Sequence, residues 1–215
     1  MANNFQSIIS VIYMNLVEPL LLLVEKLESI SVIQVNDVQA PPAENGISCS
    51  IVVLSVLILE SALNRIKYFR EDNSRANNAK YIAEITSDLE LSKDVEEVIA
   101  LRDSIVHNHL WEADIYWDDN YLLKLASDPK LVPGYGNNRF HRIIESNTRL
   151  SKRLKLNLFP LKVSREDARR ALKVITHALV TLEKVDHAYF PTIQQSFEFR
   201  GRSSTLPKII DSLPG

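Results

Sequence analysis

Hydrophobic and polar positions alternate with helical period over most of the chain. Residues 4–33 read as a first long helix that Pro19 kinks or splits. Val38 to Gly46, with Pro41-Pro42 and Asn45-Gly46, reads as a loop. A second helix is expected from Ile47 to Phe69. Its first half is apolar all round, the signature of burial, and its second half is amphipathic. A short helix is expected over 75–86, followed by a capping box at Ser87-x-x-Glu90. The next helix is read as Ser92 to Trp111, with Ser92 as its cap and Asp94, Glu96 and Glu97 in its first turn. Val95, Val98, Ile99, Ile105, Val106 and Leu110 make one apolar stripe along it. Asp118 or Asp119 is placed as the cap of a short helix reaching Leu125, and Leu154-x-Leu156-x-Leu158 as a short strand or extended arm. Ser164-x-x-Asp167 opens the last long helix, which runs to about Ala188 and stops before Pro191.

Arg102 interrupts the apolar stripe. A buried charge without a partner costs several kcal/mol, so this arginine must be paired, snorkelling or turned toward another chain. Glu60, at the point where the apolar run of the second helix ends, is the natural anionic partner, with Asn64 and Ser61 beside it. An exposed polar face is the competing reading of that group. His109 falls on the same face as Arg102, whereas His107 lies roughly 140° round a regular helix from it.

Composition narrows the picture. The chain has 215 residues, 24% charged and 46% hydrophobic, with five glycines, which favours a helical globular protein. A net charge of −2 does not by itself announce a nucleic-acid binder. Its distribution is uneven: residues 139–170 carry ten Lys or Arg against Glu145, Glu166 and Asp167, while residues 71–120 carry thirteen acidic residues against four basic. That asymmetry suits either a polyanion partner or pairing between the two stretches. Trp111, Tyr116 and Trp117 lie near the Arg102 segment, as packing residues or as platforms for a base. The single cysteine, Cys49, forms no internal disulfide, and no Cys/His spacing suggests zinc. The N-terminal residues lack the basic region of a signal peptide, and the apolar core of the second helix, Ile47 to Leu59, is shorter than a bilayer span. A cytoplasmic protein with no membrane partner is therefore expected.

Arg102-Asp103-Ser104-Ile105-Val106-His107 fits the R-x4-6-H signature with a polar residue after the arginine, and in this it resembles the HEPN superfamily. Two further pairs share the spacing: Arg102/His109, and Arg170/His177 inside a long helix without such surroundings. The resemblance covers residues 45–190. It implies an all-α, up-and-down helical bundle of HEPN type, with an insertion at about 119–163 before the last long helix. A single HEPN-like domain then spans 1–190, and 191–215 is left as a C-terminal arm or disordered tail. The resemblance further implies a metal-independent endoribonuclease of toxin or defence type, acting on RNA at a composite site formed by a homodimer. Arg102, His107 and Asp103 would be catalytic, with His109, Glu60 and Asn64 supporting, no cofactor and no metal. An antitoxin or regulatory protein is an expected partner. Some toxin members carry a tyrosine where this chain has His109, so regulation through that residue is not carried over. Other members of the family are non-catalytic RNA-binding or dimerisation modules, and that reading stays open beside the first, as does an unrelated helical interaction protein with a structural Arg102.

The chemistry explains the residue types. Attack of a ribose 2′-hydroxyl on the neighbouring phosphate requires a group that exchanges protons near neutral pH, which an imidazole does. It also requires positive charge on the phosphate oxygens, which a guanidinium supplies through paired N–H donors. On one regular helix Arg102 and His107 point apart, so either the helix breaks before His107 or two copies pool their residues about a two-fold axis.

Overall fold

The computed structural model describes residues 13–31, 38–107, 111–134, 138–145, 148–185 and 195–214. It is mostly helical, with small antiparallel hairpins, and its helices pack on one another.

Helix α1 spans Tyr13–Ser29 and is continuous through Pro19. Val17, Leu20, Leu21, Val24 and Leu27 are buried on one face. The expected start of this helix, before Tyr13, lies outside the described residues. Helix α2 spans Pro42–Phe69 and so begins inside the stretch expected to be loop. Pro42 sits in its first turn, where a missing N–H costs no helix bond. The Asn45-Gly46 pair that reads as a turn is held in the helix by tertiary contacts. Asn45 Nδ2 donates to the carbonyls of Pro160 (2.8 Å) and Val163 (2.9 Å). Helix α2 is long and apolar enough to cross a bilayer by length and composition. Here it packs against α1 and, further along the chain, against α4 (Leu89–Val106) and α6 (Arg165–Val185), with Ile51, Val52, Val56, Leu59, Ala62, Leu63 and Ile66 buried.

Helix α3 covers Asn78–Thr86, and its cap Asn77 accepts the Lys80 N–H at 2.9 Å. Ser87 does not open a capping box. It closes α3 in the left-handed conformation (φ 58°), and Asp88 caps α4 by accepting the Leu91 N–H at 2.8 Å. Helix α4 thus starts three residues before the expected cap, and the Ser92 hydroxyl instead donates to the Ala79 carbonyl at 2.7 Å. Its other end stops at Val106, five residues short of the expected Trp111.

Residues 118–125 are not helical, where a short helix is expected. Strands β1 (Trp111–Glu112) and β2 (Ile115–Trp117) pair antiparallel with β4 (Lys130–Leu131) and β3 (Leu123–Leu125) to make one hairpin arm. Asp118 caps a turn rather than a helix: its Oδ1 accepts the N–H groups of Asn120 (2.9 Å) and Leu122 (2.8 Å). Helix α5 (Asn138–Ile143) follows, then an irregular segment stitched by two isolated bridges, Ile144 to Ser151 and Leu150 to Asn157. Leu156 and Leu158 of that segment are fully buried. Its anchor is Glu97 of α4, itself 3% exposed, which accepts the Ser151 hydroxyl (2.6 Å) and the Arg153 and Leu154 N–H groups (2.8 Å each). Before α6, Asp167 reaches back to Ser164 as one half of the expected capping box, accepting both the N–H and the hydroxyl of Ser164 at 2.9 Å. Ala171, Leu172, Ile175, Leu179 and Leu182 face the core, whereas Val185 is exposed.

The C-terminal residues correct a further expectation. Instead of an arm or disordered tail, residues 195–214 fold into a hairpin, β5 (Ser196–Phe199) with β6 (Arg202–Thr205), followed by helix α7 (Leu206–Asp211). Phe197, Phe199, Leu206, Ile209, Ile210 and Leu213 join the hydrophobic core. The two-residue loop needs positive φ at both positions, and Arg200 (52°) and Gly201 (71°) supply it.

Candidate functional site

The packing of α2 on α4 sets Glu60 opposite Arg102. Arg102 Nη2 donates to Glu60 Oε1 at 2.5 Å, the pairing that a buried guanidinium requires. The same carboxylate oxygen accepts Asn78 Nδ2 from the first turn of α3 at 3.2 Å. Asp103, the next residue on α4, places Oδ1 3.3 Å from Arg102 Nε, close enough for charge attraction but without hydrogen-bond alignment. Three helices therefore converge on one guanidinium, whose side chain is 16% exposed.

His107 joins this group because the helix ends. Its N–H still bonds the Asp103 carbonyl at 2.9 Å, closing the last turn, while its own backbone (φ −103°, ψ 24°) has left helical geometry. The ring swings back over the final turn, so that Nε2 lies 3.5 Å from Arg102 Nη1 and 3.9 Å from Asp103 Oδ1. The obstacle posed by a regular helix is removed by the break before His107, and Arg102 and His107 meet within one chain. Because a guanidinium can only donate, a hydrogen bond across this contact requires a lone pair on Nε2 and so the tautomer with its proton on Nδ1. The imidazole side chain is 59% exposed, the most open member of the cluster.

The other expected residues divide. Glu60 and Asp103 are in the cluster. Asn64, one turn beyond Glu60, is exposed and shows no hydrogen bond to the cluster. His109 lies outside the described residues. Asn78 had no signal in the sequence, since only the packing of α3 beside α2 brings it to Glu60. The cluster holds one guanidinium against two carboxylates, so alone it offers a phosphate little net attraction.

Other candidate chemistry is placed elsewhere. Among the described residues no group of three or more His, Cys, Asp or Glu is arranged to hold a metal ion. Burial pushes the Cys49 thiol up to about 11, which leaves it a poor nucleophile at neutral pH. The basic stretch spends part of its charge internally: Arg153 binds Asp94 at 2.7 Å and Glu90 at 2.8 Å on the acidic α4. Pairing between the two charged regions is thus realised at this point. The aromatic trio separates as well. Trp111 packs edge-on against Phe140 and Phe159, while Tyr116 and Trp117 are exposed on the hairpin arm, at 50% and 69%.

The fold and this cluster together define a mostly helical protein with an arginine–carboxylate–histidine group at a helix terminus. Comparison with family profiles, curated proteins and solved structures returns no match to this chain.

Proposed function

We infer that the protein is a metal-independent endoribonuclease of the HEPN type, a toxin or defence effector whose helices form the family's bundle. The observation that carries this reading is the 3.5 Å approach of Arg102 Nη1 to the open imidazole of His107. In the reaction, His107 takes the proton of a ribose 2′-hydroxyl. The freed oxygen forms a bond to the adjacent phosphorus, the bond from phosphorus to the 5′-oxygen breaks, and that oxygen takes up a proton. The product strand ends in a 2′,3′-cyclic phosphate. Arg102 steadies the charge gathering on the phosphate oxygens. Asp103, within 4 Å of both partners, is a positioning residue. One chain brings a single His107, whereas the reaction needs both a base and an acid; this favours a homodimer, in which a second Arg102 and a second His107 complete the cleft and supply the departing oxygen with its proton. RNA is the substrate, and an antitoxin or regulatory protein covering this face is the expected means of control.

The test is cleavage of labelled RNA by the purified protein in EDTA. Activity that disappears in both Arg102→Ala and His107→Ala supports the reading, and activity that needs metal or survives both substitutions overturns it. A second reading, a non-catalytic RNA-binding or dimerisation module of the same family, is favoured by one observation: Arg102 is already paired with Glu60 inside its own chain. RNA retention without cleavage decides for that alternative.

A further inference from the structure

A cavity of about 490 Å³ opens between the base of the hairpin arm and the segment that follows α5. Glu60, Arg102 and His107 do not line it. One wall is apolar, formed by Pro129, Leu131 and Ile144. Trp111 and Arg149 line it as well, and each carries a polar atom in an unusual state. Trp111 Nε1 and Arg149 Nη1 are both shut off from solvent and make no hydrogen bond.

Both groups are obligate donors, since neither an indole N–H nor a guanidinium can accept. Arg102, Arg153, Arg165 and Arg169 each have a carboxylate at ion-pair distance. Arg149 instead has an aromatic face, its guanidinium carbon lying 5.7 Å from the centre of the Phe159 ring. The nearby Glu145 does not neutralise it, because Lys155 Nζ holds both Glu145 oxygens at 3.1 Å. Asp128 and His141 on the lining are exposed, and so is Lys130, which adds positive charge at the mouth. A wall with two stranded donors, one of them a full cation, is complementary to an anionic oxygen acceptor. The apolar side is complementary to a ring or other nonpolar body, and the volume is that of a small-molecule pocket.

We propose that this cavity binds a small organic oxyanion, a phosphate or carboxylate attached to a ring. Side-chain movements of Arg149 and Trp111 on binding uncover their donors to its charged oxygens, and its ring lies against Pro129, Leu131 and Ile144. The site is independent of the Arg102 cluster, and its test reads binding rather than RNA cleavage.

The chain has two tryptophans, so Trp117→Phe leaves Trp111 as the only indole, and its N–H resonance can be followed by NMR. The probes are adenosine monophosphate, salicylate and, as the ring without the charge, adenosine. The expected result is a saturable shift of the Trp111 resonance with the phosphate or the carboxylate probe, at about 1 mM or tighter, and no shift with adenosine. Whichever probe responds identifies the oxyanion. Arg149→Gln is expected to weaken that binding about tenfold or more, and Arg149→Lys to restore part of it. The spectrum of each free variant reports whether it is folded, and the lysine variant carries the test if the glutamine variant is not. No shift with either anion up to about 10 mM, an equal response to adenosine, or unchanged affinity without the Arg149 guanidinium overturns the proposal.

Discussion

Arg169 and Arg102 each lie against two carboxylates, and they are not equivalent. Arg169 of α6 donates to both oxygens of Glu28 on α1, at 2.9 and 2.6 Å, and to Glu166 at 2.7 Å. Its side chain is 9% exposed and that of Glu28 is 6%. The Glu28 carboxylate holds the Arg169 guanidinium above the ordinary arginine range, against the opposing effect of burial. Arg102 is also paired, yet its carboxylates are 25% and 20% exposed, and an open imidazole lies beside it. The first group is a bidentate clamp between two helices, and its open neighbours include a carboxylate, Glu166 (44% exposed), and a guanidinium, Arg200 (52%). The second is a looser cluster at a helix end, open to solvent at His107. A charge embedded among apolar neighbours is therefore no mark of chemistry by itself. What separates the two is the access and chemistry of the groups around the guanidinium.

The sharpest way to break this comparison is through stability. Arg169→Ala strands the Glu28 carboxylate in the core and is expected to cost about 3–5 kcal/mol in urea unfolding. A loss no greater than that of Arg102→Ala would show that the clamp is not the stronger of the two. Arg102→Ala leaves Glu60 half-screened by solvent and still bonded by Asn78, so a cost of about 1–3 kcal/mol is expected. A double-mutant cycle with Glu60→Gln should recover a coupling of about 1 kcal/mol, and strict additivity would mean that the pair contributes nothing net. His107→Ala should change stability by less than about 0.5 kcal/mol while removing RNA cleavage, because the ring is open and helix closure uses its backbone N–H. The smallest effect is expected from Asn64→Ala, within about 0.3 kcal/mol and with cleavage intact, and any marked loss of activity would return Asn64 to the site.

The helical periodicity of residues 13–29, 47–69, 78–86, 92–106 and 165–185 could be read directly, because each segment repeats its apolar positions with the turn of a helix. So could the need of Arg102 for an anion and the choice of Glu60. Helix ends were harder to place. Ser87 and Asp88 are neighbours of nearly equal capping propensity, and only the left-handed turn at Ser87 decides which one ends α3 and which one starts α4. Residues 118–125 read as a short capped helix and form a hairpin turn and strand instead, because an aspartate stabilises a turn and a helix start through the same acceptor oxygen. The C-terminal hairpin was missed because Arg200 hides a positive-φ position that the sequence marks only at Gly201.

Local pattern alone determined that this chain is mostly helical, which faces of its helices are apolar, and that one arginine lay where it required a partner. Those properties depend on residues within a turn or two of each other. Tertiary structure decided the rest: that α4 stops at Val106 so that the His107 ring meets Arg102, that Asn78 shares the Glu60 carboxylate, and that Trp111 and Arg149 line one cavity, each with a buried donor that makes no hydrogen bond. Each of these joins groups on different elements, or turns on where one element ends. Their relation is set by how the helices and the hairpin pack, which no local periodicity encodes.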